Sequence, residues 1–135
     1  MRRNLTWAIL PFVVSGAAIA QDDIDCANAM AQQEMNYCAA KEFEAADAEL
    51  NAFWKDARAK TRQLDAEQSD DLKGADKALV AAQRGWIAYR DGHCALYGFE
   101  ARGGSMEPML VSGCMAELTR ARMKELREFI EGPAQ

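Results

Sequence analysis

The segment from Gln83 to Cys114 carries the clearest structural signals in this chain and reads QRGWIAYRDGHCALYGFEARGGSMEPMLVSGC. Its first part carries large apolar residues three and four positions apart, which is the period of an amphipathic helix. Gly103-Gly104 is the clearest turn signal in the chain. Cys94 lies a few residues before this turn and Cys114 a similar distance after it. The stretch therefore predicts two antiparallel helices in which these cysteines face each other.

The same pattern extends to the rest of the chain. Good helix formers dominate, there are only three prolines, and no sustained alternation suggests a strand. We predict helices over about residues 32–64, 76–99 and 105–131, with the Ser105 hydroxyl capping the third. The polar residues 65–77 are predicted to form a loop. The fold class is all-α, a small antiparallel bundle of three main helices stapled by two disulfides.

Apolar stripes on these helices predict the core. The stripe of the second helix is Leu79, Ala82, Trp86, Tyr89, Arg90 and Cys94. The stripe of the third helix is Leu110, Cys114, Leu118, Arg122, Leu126 and Phe129 or Ile130. Gly85 and Gly92 interrupt the second helix, and glycines at such positions often occur where another helix packs closely.

An export signal is predicted at the N-terminus. Arg2 and Arg3 precede the apolar run 5–14, and the small residues Ala18 and Ala20 frame a cleavage site. The run is too short to span a bilayer, and no lipid-attachment pattern precedes Cys26, so we expect no membrane insertion. Cleavage near Ala20 would leave a single domain, residues 21–135, in the periplasm or secreted.

The four cysteines are predicted to form disulfides. Exported thiols usually pair, and a local pairing of Cys26 with Cys38 and of Cys94 with Cys114 fits the helical hairpin. The sequence leaves open the pairing of Cys26 with Cys114 and of Cys38 with Cys94. No C-x2-C pair occurs and His93 is the only histidine, so we expect no metal site and no cofactor.

The net charge of the chain indicates which kinds of molecule it could bind. The chain has 16 basic and 21 acidic residues, a net charge of −5. Loss of Arg2 and Arg3 with the signal would leave 14 basic and 21 acidic residues, a net charge of −7. Such a surface disfavours nucleic acid and anionic membranes and favours basic partners, although acidity also serves solubility.

Polar residues beside the stripes predict an internal network. Asp47 and Asn51 lie four apart on the first helix, Arg90 lies one turn after Trp86, and Arg122 lies on the third helix. We expect Asp47 between the two arginines, because a buried charge needs a partner. No nucleophile or general base accompanies the network, so we interpret it as a structural clamp and expect no enzyme.

These residues resemble the LprI-like lysozyme-inhibitor domain family. The resemblance rests on four segments: QEMNYC at 33–38, DAELN at 47–51, QRGWIAYRDGHC at 83–94 and LTRAR at 118–122, with all four cysteines in register. Ala31 departs from the family, which usually has Thr or Ser there, so the start of the first helix would lack a capping hydroxyl. The resemblance implies a helical, disulfide-bonded, exported bacterial protein.

The resemblance also implies inhibition of lysozyme by protein contact. A domain with a net charge of −7 would be steered to basic lysozymes. The partner-binding candidate is the turn over residues 100–107, with Arg102, Ser105 and Glu107 as its polar groups. The alternative is a cell-envelope adaptor or structural protein with an unrelated periplasmic partner.

Overall fold

A computed structural model describes residues 24–132 of this protein and shows three helices in that range. They are α1 (Gln32–Ala66), α2 (Ala75–Gly98) and α3 (Glu107–Glu131), and a 3-10 turn, Phe99–Ala101, follows α2. Residues 24–132 contain no strand. The prediction of an all-α fold with three main helices is confirmed. The predicted signal, residues 1–20, lies outside the described residues.

Consecutive helices run antiparallel. The disulfide Cys94–Cys114 joins the C-terminal part of α2 to the first half of α3. Earlier on α2, Gln83 accepts a hydrogen bond from Arg122, which lies later on α3. The later residue of α3 thus pairs with the earlier residue of α2, so the two helices are antiparallel and form the predicted hairpin.

The first helix runs parallel to the third. The Gln32 side chain at the start of α1 contacts Met109 near the start of α3. Further along both helices, the Arg127 guanidinium lies 5.5 Å from the Phe53 ring centre. The bundle therefore has an up-down-up topology, and the α2–α3 turn lies at the same end as the start of α1.

The apolar core fills the other end of the bundle, which we call the core end. Its buried residues are Leu50, Ala57, Leu79 and Leu126. Partly buried residues pack around them: Phe53, Trp54, Trp86, Met123 and Ile130. Outside this cluster the buried apolar residues are small ones, Cys38, Ala46, Cys94 and Ala116.

The cross-links lie at the opposite end, which we call the turn end and define by the α2–α3 turn and both disulfides. Cys26 pairs with Cys38 and Cys94 pairs with Cys114, as predicted, and each pair has its Cα atoms 5.5 Å apart. Each closes a short loop and stabilises the fold by about 3 kcal/mol in the chain-entropy view. The turn end is thus held by covalent staples where apolar packing is thin.

Carboxylates fix the starts of two helices. Glu34 accepts hydrogen bonds from the amides of Met30 and Ala31, so α1 begins at Gln32 with only the glutamate half of a capping box. Asp65 accepts hydrogen bonds from the three amides of residues 74–76 and so caps α2 from a distance. These amides, that of Gly74 first, lower the pKa of Asp65.

Two expectations from the sequence are wrong in detail. Met106, and not Ser105, is the N-cap of α3, and no side chain caps that helix. Tyr89 is 57% exposed and stacks on His93 instead of entering the core. The face of α2 that packs against the other helices contains Gln83, Trp86 and Arg90. Tyr89 lies outside this face, because each residue of a helix is rotated by about 100° from the one before it.

The close approach of α2 to another helix occurs at Gly98. A Cβ atom at Gly98 would lie 2.5 Å from a methyl carbon of Val111, whereas Cβ atoms at Gly85 and Gly92 would meet nothing within 4 Å. The two glycines that the sequence suggested for helix packing therefore face open space. The Val111 side chain cannot readily rotate away from such a Cβ atom, because a β-branched side chain in a helix has one strongly preferred rotamer.

We predict that Gly98→Ala lowers the free energy of unfolding by about 1–3 kcal/mol, because it overpacks the α2–α3 contact. The matched control Gly92→Ala should be neutral or stabilising by up to about 1 kcal/mol, since alanine favours a helix and meets no neighbour there. Urea unfolding of both oxidised variants measures the difference. Equal stability of the two variants would contradict the close approach at Gly98.

Candidate functional site

The turn between α2 and α3, residues 99–106, is fixed by one carboxylate. Glu107 accepts hydrogen bonds from the Gly103 amide at 2.7 Å and from Arg102 Nη1 at 2.6 Å. The Gly104 amide donates to the carbonyl of Ala101 at 2.8 Å. Gly103 has a φ of +76°, a conformation that side chains disfavour. Glu107 thus holds the turn in one shape.

The ionisation of Glu107 is part of this clamp. The Gly103 amide, and then the Arg102 guanidinium, lower the pKa of Glu107 below its ordinary value of 4.5. Hydrogen bonds to an ionised carboxylate favour the charged form. The turn is therefore held by charge-assisted bonds at neutral pH.

Neighbouring elements anchor the turn at both sides. Asn36 on α1 donates a hydrogen bond to the Ser105 carbonyl at 2.8 Å. The Arg102 guanidinium lies 4.6 Å from the Phe99 ring centre. Cys94–Cys114 ties together the helices that carry the turn. Of the three predicted partner-binding residues, Arg102 and Ser105 are exposed, and Glu107 holds the turn.

Exposed apolar side chains flank the turn. Leu96 is 68% exposed and Phe99 is 56% exposed, and Tyr97 and Met106 are also exposed. Aromatic residues, Met and Arg are the residue types enriched at protein–protein interfaces. Arg102, whose side chain is 63% exposed, stands among them. This surface has the composition of a protein-binding patch on a rigid support.

A buried guanidinium joins the three helices at mid-height. Arg90, only 7% exposed, donates from Nη1 to Asp47 on α1 and to Thr119 on α3, at 3.1 and 3.2 Å. Its Nε donates to Asp91 at 2.9 Å. Asn51 supports the arrangement by donating to the second oxygen of Asp47 at 2.8 Å. Acceptors from every helix surround one cation.

Two aromatic rings complete the surroundings of Arg90. The guanidinium carbon lies 5.0 Å from the Trp86 ring centre and 5.1 Å from the Phe43 ring centre. Aromatic faces attract cations at such distances. The structure thus brings together four of the five predicted network residues, namely Asp47, Asn51, Trp86 and Arg90.

Arg122 does not share this network, so its predicted pairing with Asp47 is wrong. Its Nε donates to Gln83 at 3.0 Å and its Nη1 donates to Glu125 at 2.9 Å. Arg122 faces the part of α2 nearer the core end, where Gln83 is its acceptor on that helix. Helical periodicity did not indicate Thr119 and Gln83 as partners of these arginines, although both lie within the quoted motifs.

The family assignment comes from a comparison with protein-family models. The model described as Lysozyme inhibitor LprI matches residues 25–126. This protein belongs to the LprI lysozyme-inhibitor family. A curated relative, an uncharacterized protein of Rhizobium meliloti (strain 1021), is 54% identical over 114 residues, which cover 82% of each chain. No solved structure matches.

The LprI match spans both disulfides, the Arg90 network and the turn. Within residues 24–132, none of the helices is both long and apolar enough to cross a membrane. In the same range no group of three His, Cys, Asp or Glu side chains could hold a metal ion. The exposed turn and the apolar surface beside it are therefore the strongest candidate site in the described part of this LprI protein.

We predict that Glu107→Gln destabilises the protein at pH 7 and that the difference from wild type shrinks under acid conditions. The lowered pKa means that Glu107 contributes its full stabilisation above pH 4.5 and loses it as the pH falls through the lowered value. Unfolding free energies of both proteins between pH 7 and pH 3 measure this effect.

Glu100→Gln is the matched control, because Glu100 is exposed in the same turn and its side chain makes no hydrogen bond or ion pair within residues 24–132. This substitution should leave the unfolding free energy close to wild type. A Glu107→Gln difference that is constant from pH 7 to pH 3 would show that the carboxylate charge does not hold the turn.

Proposed function

We propose that this protein is exported and that it inhibits lysozyme-type muramidases by direct protein contact, with the turn of residues 99–106 entering the enzyme cleft. Membership of the LprI family supports the inhibitory activity. The signal-like residues 1–20 support export to the periplasm or beyond. The protein would act by binding and would carry out no reaction of its own.

The rigid presentation of Arg102 is the observation that carries this proposal. Glu107 and Phe99 position the guanidinium, yet its side chain stays 63% exposed, and of its nitrogens only Nη1 donates to Glu107. Glycoside hydrolases, lysozyme among them, place a pair of carboxylates at the cleft. A positioned guanidinium is complementary to such carboxylates because its planar fork can donate two hydrogen bonds.

Preorganisation would make the turn an effective inhibitor. A loop that is already fixed loses little conformational entropy on binding. The turn is already fixed in the unbound protein by Gly103, Glu107 and the Cys94–Cys114 disulfide. The exposed Leu96, Tyr97, Phe99 and Met106 side chains would add apolar contact around the arginine.

Long-range charge would assist the encounter. The chain without its first twenty residues carries a net charge of −7. Opposite net charge raises association rates and makes them sensitive to salt. Attraction to basic lysozymes would thus come from the whole surface, and Arg102 would provide the local match to the acidic cleft.

We predict that Arg102→Ala raises the half-inhibitory concentration against lysozyme by about tenfold or more, the effect typical of a central interface arginine. The charge-matched control Lys124→Ala removes an 80% exposed lysine near the C-terminal end of α3 and should change inhibition by less than about twofold. Lysis of bacterial cell walls by several lysozymes, over a range of salt, measures both effects.

Two outcomes would contradict the proposal. Absence of inhibition of any lysozyme by the oxidised wild-type protein would favour the envelope-adaptor alternative. Inhibition that Arg102→Ala and Lys124→Ala change equally would place the contact away from the turn.

A further inference from the structure

A groove runs between α2 and α3 beside the Cys94–Cys114 disulfide. Its volume is about 490 Å³, within the range of sites that bind small molecules or side chains. Its lining includes His93, Tyr97, Leu110, Gly113, Glu117 and Leu118. The groove adjoins the apolar surface beside the turn, since Tyr97 belongs to both, and these other lining residues have no part in the proposed function.

One wall of the groove is aromatic. His93 and Tyr97, four residues apart on one face of α2, line this wall, and Tyr89 lies one turn before His93 on the same helix. The Tyr89 and His93 rings stack with centres 5.3 Å apart. Tyr97 is 45% exposed, so much of its ring is open to a ligand. The wall offers π faces, which attract organic cations.

The other wall carries one carboxylate without a partner. Glu117 is exposed, and its side chain makes no hydrogen bond or ion pair within residues 24–132. In contrast, Glu107 and Glu125 are both paired with arginines. Glu117 is one turn from Gly113, whose missing side chain leaves the groove open.

The residues that line the groove favour a cationic side chain over an apolar one. An apolar side chain would cover Glu117 and leave a charge desolvated and unpaired, which is costly. A cationic side chain would pair with Glu117 and also lie against the Tyr97 and His93 rings. A guanidinium suits the site best, because it can both stack on a ring and donate two hydrogen bonds to a carboxylate.

We propose that this groove receives an arginine side chain from the protein partner. The identification of that partner as a basic lysozyme rests on the proposed function. The interface then has two contacts of opposite sign: Arg102 of this protein meets acidic groups of the partner, and an arginine of the partner enters the Glu117 groove. Such a pattern specifies orientation as well as affinity.

A free arginine analogue tests the groove without lysozyme. The oxidised full-length protein is titrated with Nα-acetylarginine amide and, as a neutral analogue of similar shape, Nα-acetylcitrulline amide, while backbone amide NMR shifts are followed. We expect saturable shifts at residues 93–97 and 110–118 with the arginine probe only. A dissociation constant of about 1 mM or weaker is appropriate for one side chain.

Substitutions in the groove give the matched comparison. Glu117→Gln should weaken arginine binding by about tenfold, whereas Glu131→Gln, at the C-terminal end of α3, should leave it unchanged. Gly113→Leu should abolish binding by filling the groove, and it should still fold because a Cβ there meets nothing within 4 Å. Gly85→Leu, equally open, is its control. Equal shifts with citrulline, or binding unaffected by Glu117→Gln, would overturn the proposal.

Lysozyme inhibition by the same variants separates this proposal from the proposed function. If wild type inhibits and Glu117→Gln inhibits equally well, the groove proposal is overturned and the proposed function stands. If no lysozyme is inhibited but the arginine probe binds in a Glu117-dependent manner, the groove proposal stands and its partner is not a lysozyme.

Discussion

The buried guanidinium of Arg90 constrains the whole bundle. A cation removed from water is tolerated only when acceptors surround it. Its acceptors come from all three helices: Asp47 on α1, Asp91 on α2 and Thr119 on α3. Sliding α1 or α3 by one turn would remove one of these acceptors from the buried guanidinium, so the network favours one register of the helices. It also lies between the apolar core end and the stapled turn end.

The turn end follows from this register. With Arg90 opposite Thr119, the next turn of α2 brings Cys94 to Cys114, and the turn after that brings Gly98 against Val111. The connection between α2 and α3 is then short, and Glu107 closes it on Gly103. The stapled helices thus support a rigid exposed turn and an open groove, and both proposed contacts depend on them.

Much of this architecture could be predicted from the sequence, because strong local signals agree with one another. Cysteines on either side of the Gly103-Gly104 turn, helical periodicity and scarce prolines predict three helices and the observed disulfides. The link between Asp47 and Arg90 also followed from the need to pair a charge on an apolar stripe. Each of these inferences depends either on residue spacing within one element or on the need of a buried charge for a partner of opposite charge.

The errors concern relations between elements. The exposure of Tyr89 depends on the width of the face that α2 packs against the other helices. The partners of Arg122 depend on which residues of α2 lie beside it along the bundle axis. Helical periodicity indicates a face but does not distinguish its centre from its edge. Likewise, only the relative position of the helices shows that Gly98, and not Gly85 or Gly92, meets another helix.

Ser105 and Glu117 show the same limit at the candidate site. Ser105 has a residue type that commonly caps helices, yet α3 begins after Met106. Glu117 looks in sequence like any solvated acid on a helix, and only the groove beside it gives the carboxylate a possible role. Residue type therefore does not by itself indicate what a side chain does in the folded protein.

Amide hydrogen exchange of the oxidised protein, with and without a saturating basic lysozyme, tests whether the partner binds at the turn end. We expect lysozyme to add protection at the turn end, in residues 96–107 and 109–118, and none along the core end of α1. Protection confined to α1, or to the core end, would contradict it and place the partner on a different surface.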